Sequence, residues 1–126
     1  MSALVVFNKQ LGDTVLLEPA LHRLQRYTGR RVHLITRARV LPVLELMPQV
    51  KYAGEFGWRS ADSLWCYDSS SRAAWQALFC RTRRKRLMLA DRDLLRPMHR
   101  WTFSEIACDP FGNRYMAKYY WEQTNA

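Results

Sequence analysis

Apolar residues recur along this chain with two periods in turn. Leu4, Val5, Val6 and Phe7 form an unbroken apolar run, the pattern of a strand covered on both faces, as in a parallel sheet. Val15, Leu16, Leu17, Ala20, Leu21, Leu24 and Tyr27 then recur at helical spacing, with Glu18, His22, Arg23, Gln25 and Arg26 between them. That spacing predicts an amphipathic helix ending at Gly29. Pro19 lies inside the pattern and is expected to kink the helix or to divide its first turn from the rest. Val32 to Thr36 reads as a second strand, Ala38 to Met47 as a short helix with Pro42 in its first turn, and Val50 to Phe56 as a third strand.

The second half repeats the alternation less cleanly. Leu64 to Tyr67 is a candidate strand, and Asp68 with Ser69 to Ser71 supplies N-cap residues for a helix carrying Ala73, Ala74, Trp75, Ala77, Leu78 and Phe79. Leu87 to Ala90 reads as the next strand. Residues 91 to 112 show no clear period and contain Pro97, Pro110 and Gly112, so they are expected to form a long irregular connection. Asn113 is placed to cap a last helix carrying Tyr115, Met116, Tyr119 and Tyr120. Strands alternating with helices predict an α/β fold on a mainly parallel sheet, with residues 1–126 as a single domain.

In such sheets ligands collect at the carboxyl ends of the strands, where loops enter the following helices. The stretch "NKQLGDTVLLEPAL" occupies that place after the first strand. Free backbone N–H groups at a helix start favour anions. Gly12 lets the chain turn closely there, and Asp13 either caps the helix or projects into the cleft. With one glycine in the loop, neither a dinucleotide fingerprint nor a phosphate-cradling nucleotide loop is present.

Composition narrows the class of partner. The chain carries 20 Lys and Arg against 11 Asp and Glu, a formal charge of +9, which favours nucleic acid, anionic lipid headgroups or an acidic or phosphorylated small molecule. No apolar stretch approaches the roughly 18 residues of a membrane-spanning helix, and Ala3 to Phe7 is too short for a signal-peptide core; a cytoplasmic protein is expected. Cys66, Cys80 and Cys108 are widely spaced, with no paired-cysteine motif, and read as reduced packing residues, so no metal site is assigned to them.

The segment "LVVFNKQLGDTVLLEPALHRLQ", followed by "VHLITRARVLPVLELMPQV", resembles the start of glycosyltransferase family 9, the ADP-heptose:lipopolysaccharide heptosyltransferases. The matching residues are Gly12 and Asp13, then Pro19, Ala20 and Leu21, then Leu44, Leu46 and Pro48, within residues 3 to 56. The resemblance implies a Rossmann-like α/β/α sandwich, the N-terminal, acceptor-side half of a GT-B enzyme whose C-terminal donor-binding half lies outside this chain. It implies an inverting transfer from a nucleotide sugar such as ADP-heptose to an acidic glycolipid acceptor, with no further cofactor and with peripheral contact at the inner membrane. Asp13 matches the family's proposed general base. Lys9, Gln10 and Gly12 stand beside it as substrate-binding candidates, and Arg59, Arg96, His99 and Arg100 lie in loops that can reach the cleft.

Two other readings have a footing in the residues. Asp91-Arg92-Asp93 imitates a two-carboxylate metal motif, but Arg92 and Arg96 beside it favour surface ion pairing. The basic run "CRTRRKR", residues 80 to 86, is expected to be a solvated turn. It also offers the alternative of a basic α/β module that binds phosphate or nucleic acid without catalysis. Aromatic stacking partners are not interleaved with the run, which argues against nucleic acid.

Overall fold

A computed structural model describes residues 2–8, 11–55, 60–89 and 95–108, and for residues 11–16 and 108 the backbone alone. The first apolar run forms β1 (Ala3–Val6), and the helical pattern forms α1 (Leu11–Thr28). Helix α1 passes through Pro19 without being divided there and ends at Gly29, whose φ of 70° lies in the left-handed region where glycine has no Cβ penalty. Next come β2 (Val32–Ile35), a 3-10 turn (Ala38–Val40), α2 (Leu41–Leu44) and β3 (Val50–Tyr52). The second half contributes β4 (Ser60–Cys66), α3 (Ser71–Leu78), β5 (Arg81–Leu89), α4 (Pro97–Thr102) and β6 (Glu105–Cys108).

All six strands run parallel in the order β3-β2-β1-β4-β5-β6. This is the Rossmann order, in which the chain winds outward in one direction from β1 and then in the other from β4. Strand alternation divides the core into two layers. On one face Val5, Phe7, Leu34, Trp65, Tyr67 and Met88 pack with Leu17, Ala20, Leu21 and Leu24 of α1. On the other, Leu4, Val6, Ile35, Leu64, Cys66, Leu87 and Leu89 pack with Ala73 and Ala77 of α3 and with Phe103 after α4. The expected α/β/α sandwich is therefore present.

Several local expectations are corrected. The basic run is not a turn: residues 81–86 are the first two thirds of β5, and Ser60 to Cys66 pair with Arg81 to Leu87. Two of its five basic side chains, Arg84 and Arg86, find a shared partner on the neighbouring strand. Arg84 and Arg86 both bond the Glu105 carboxylate on β6, with Arg84 Nη2 at 2.8 Å. The Arg86 guanidinium also lies 4.6 Å over the Trp65 ring on β4. The segment read as irregular from residue 91 contains α4 and β6, formed once Ser104 N–H bonds the Lys85 carbonyl at 2.9 Å and brings the chain onto the sheet edge. Ser70, with its hydroxyl accepting from Ala73 N–H at 3.2 Å, caps α3. The third strand stops at Tyr52. Asp91 to Asp93 and the helix expected after Asn113 lie outside the described residues.

Candidate functional site

Strands β1 and β4 are neighbours, yet α1 and α3 that follow them cover opposite faces of the sheet. The connections therefore diverge above the carboxyl ends of these two strands, the switch-point crevice where a doubly wound sheet usually takes its ligand. Gly12 and Asp13 are the second and third residues of α1. Asp13 thus stands inside the first helical turn at the lip of this crevice, rather than before the helix as a cap.

A buried polar network braces the crevice. Asn8, directly after β1, donates its backbone N–H to Asp68 Oδ2 at 3.0 Å, and Asp68 Oδ1 accepts from Ser70 N–H at 2.9 Å. One carboxylate therefore ties the end of β1 to the loop after β4. The Asn8 side-chain amide pairs reciprocally with Gln76 of α3, Nδ2 to Oε1 at 2.6 Å and Nε2 to Oδ1 at 3.3 Å. Gln76 Nε2 also donates to the Glu55 carbonyl beyond β3. The Glu55 carboxylate accepts from Ala38 N–H at 3.0 Å and pairs with Arg72 at 3.5 Å. The segments that follow β1, β2, β3 and β4 are thereby fixed relative to one another. Asn8, Asp68 and Gln76 are at most 5% exposed, so each bond is made where water does not compete strongly.

The Cys66 thiol lies below this network and donates to the Asp68 carbonyl at 3.1 Å. Burial first, and the Asp68 charge second, push its pKa far above the ordinary thiol value. It is consequently a packing group, not a nucleophile. Thr36 Oγ1 and Arg37 Nε, past the end of β2, are buried without a hydrogen-bond partner among the described residues. They add two polar atoms to the crevice side of the sheet.

The remaining predicted residues divide by location. Lys9, Gln10 and Arg59 lie outside the described residues. His99 is fully buried, and its Nδ1 accepts from Arg96 N–H at 3.1 Å while Nε2 faces the Ser69 carbonyl at 3.0 Å. A carbonyl can only accept, so the ring is the neutral Nε2–H tautomer, and it pins the start of α4 to the loop after β4. Arg96 and Arg100 are exposed, the first at the start of α4 and the second on its outer side. Sequence reading missed Asn8, Glu55, Asp68 and Gln76 as site-forming residues. One signal for two of them is present: Leu4-Val5-Val6-Phe7-Asn8 and Leu64-Trp65-Cys66-Tyr67-Asp68 repeat four apolar positions followed by a polar one, and they lie side by side with Leu4 opposite Leu64.

Among the described residues no three His, Cys, Asp or Glu side chains gather as a metal site, and no helix is long and apolar enough to cross a membrane. The arrangement offers a switch point braced by buried polar bonds beside the start of α1, where the N–H groups of a first helical turn favour an anion. Comparison with family models, with curated proteins and with solved structures gives no match for this chain.

Proposed function

We propose that this chain is the acceptor-side domain of an inverting glycosyltransferase similar to the family 9 heptosyltransferases, with Asp13 as general base. The observation that supports this reading most is the coincidence of the Gly12-Asp13 pair with the first turn of α1 at the switch point of a Rossmann-order sheet. General-base chemistry asks for a carboxylate on a rigid mount within hydrogen-bond reach of the acceptor hydroxyl. Such a mount follows from a helix whose entry loop is braced through Asn8, Asp68 and Gln76. In this reaction the acceptor hydroxyl gives its proton to Asp13 as its oxygen attacks the anomeric carbon. The nucleoside diphosphate leaves from the opposite face, and configuration inverts. A donor-binding half supplies the nucleotide contacts, and the positive charge of this domain attracts a phosphorylated acceptor.

Calorimetry separates this reading from that of a basic phosphate-binding module. The chain is expected to bind a phosphorylated lipopolysaccharide inner-core oligosaccharide and to bind ADP-sugars weakly, because the donor contacts belong to the other half. Duplex DNA displacing the oligosaccharide at equal phosphate concentration would overturn the proposal.

A further inference from the structure

The outer layer formed by α3 and α4 has its large apolar side chains on the wrong side for a core helix. Ala73, Ala74, Gln76 and Ala77 are buried, while Trp75, Leu78 and Phe79, at i, i+3 and i+4, face outward with 55%, 48% and 41% of their surface exposed. Trp75 and Phe79 stack at a ring-centre distance of 6.0 Å. Met98 and the 90% exposed Trp101 of α4 extend the patch, and a groove of about 270 Å³ between the two helices is lined by Ala74, Trp75, Leu78, Met98, Trp101 and Thr102. Inward alanines let α3 lie close to the sheet, but packing gives no reason for five large apolar groups in water. Contiguous patches of this kind mark an interaction surface.

The surrounding charge indicates the occupant. Neither α3 nor α4 contains an Asp or Glu. Arg96 and Arg100 belong to the α4 end of the patch. On β5, strand alternation puts Arg81, Arg83 and Lys85 on the face of Leu87 and Leu89, which is the α3 side, and Lys85 Nζ lies 3.5 Å from the Leu78 carbonyl. The ion pairs among the described residues engage Arg72, Arg84 and Arg86, and not Arg81, Arg83, Arg96 or Arg100. A partner for this face is both apolar and anionic. With eight and six residues, the two helices are about 12 and 9 Å long, a short seat for a peptide helix. Protruding indoles ringed by arginines match the headgroup region of a bilayer, where amphipathic rings and basic side chains gain together.

We propose that the α3–α4 face is a peripheral docking surface for an anionic phospholipid bilayer. Trp75, Phe79 and Trp101 enter the headgroup region, and Arg81, Arg83, Arg96 and Arg100 hold its phosphates. This assignment gives a place to the membrane contact that the resemblance implies, but it is argued from the exposed α3–α4 face alone, and vesicle binding, which needs neither sugar donor nor acceptor, tests it apart from the sugar-transfer reading. The test is co-sedimentation with vesicles of phosphatidylcholine alone and of phosphatidylcholine mixed with phosphatidylglycerol. Binding is expected to the mixed vesicles only and to weaken between low and physiological salt. Each arginine near an anionic surface is worth roughly fivefold in partitioning, so Arg81→Gln with Arg83→Gln lowers it by about twenty-five-fold. Trp101→Ser, at a site too exposed to support the fold, lowers it roughly tenfold. Equal binding to both vesicle types overturns the proposal, as does unchanged partitioning of Trp101→Ser at an unchanged melting temperature. So do displacement of the vesicles by single-stranded DNA and self-association that Trp101→Ser abolishes.

Discussion

Replacing Gln76 by methionine tests whether the buried amide pair organises the crevice. The substitution keeps side-chain length and helix propensity but removes every side-chain hydrogen bond of Gln76. Its carboxamide is 1% exposed and bonds both polar atoms of the Asn8 amide, itself 5% exposed. In Gln76→Met the Asn8 oxygen and NH₂ group stay buried with no partner, at about 1 to 3 kcal/mol for each unsatisfied group. The Glu55 carbonyl sits in an exposed residue and regains water. The more apolar methionine recovers part of the loss, leaving an expected destabilisation of about 2 to 4 kcal/mol. A domain of this size is stable by roughly 5 to 15 kcal/mol, so the loss is large. Urea unfolding followed by circular dichroism measures it. With a slope of about 1 to 3 kcal/mol per molar, the midpoint falls by roughly 1 to 2 M while the slope stays constant. Asn8→Ala with Gln76→Met removes both halves of the pair and is expected to cost less than the two single changes together, a coupling of about 1 to 3 kcal/mol. A single change within 0.5 kcal/mol of wild type, or a strictly additive cycle, refutes the claim that this pair braces the crevice.

Three further outcomes follow from the same reasoning. Asp13→Asn is expected to lower single-turnover sugar transfer by the proposed two-domain glycosyltransferase by about 10² to 10⁴, with acceptor affinity nearly unchanged. It alters stability by only about 0.3 to 1 kcal/mol, because Asp13 lies in the first helical turn, and equal rates would remove the catalytic assignment. Cys66 ionises in the unfolded chain from about pH 8.5 but stays a thiol in the fold, so it contributes stability that is complete below that pH and is lost as pH rises further. Cys66→Ala should show less of this alkaline loss in urea midpoints taken across pH 7 to 10, and rapid alkylation of native Cys66 at neutral pH would contradict its burial. The bond from Arg84 first, and Arg86 with it, holds the Glu105 carboxyl below its usual pKa. Its contribution is therefore present above about pH 4.3 and lost as pH falls through the lower folded value. For so exposed a group, Glu105→Gln should cost less than about 1 kcal/mol at pH 7, shrink with salt and vanish in acid; a cost that persists at pH 2 would point to packing instead.

What the sequence determined by itself is the class of fold and the end of the sheet at which its first helix starts. Local periodicity is a property of neighbours along the chain, so the run Leu4 to Phe7 and the stripe from Leu17 to Leu24 identify a buried strand and an amphipathic helix before any tertiary contact is known. Alternation of such elements then implies parallel strands and a cleft at their carboxyl ends, which is where Gly12 and Asp13 stand. Tertiary structure alone decided the rest, because the deciding contacts join residues far apart in the chain. The basic stretch Arg81 to Arg86 has no apolar period and became a strand through Glu105 and Trp65, 19 and 21 residues from Arg86. The α3 pattern left open which side faces in, and the close approach of Ala73 and Ala77 to the sheet turned Trp75 and Phe79 outward. Asn8 acquires its place from Asp68 and Gln76, 60 and 68 residues away. A polar residue at a strand end looks like a solvated loop until a second strand end is laid beside it and excludes the water.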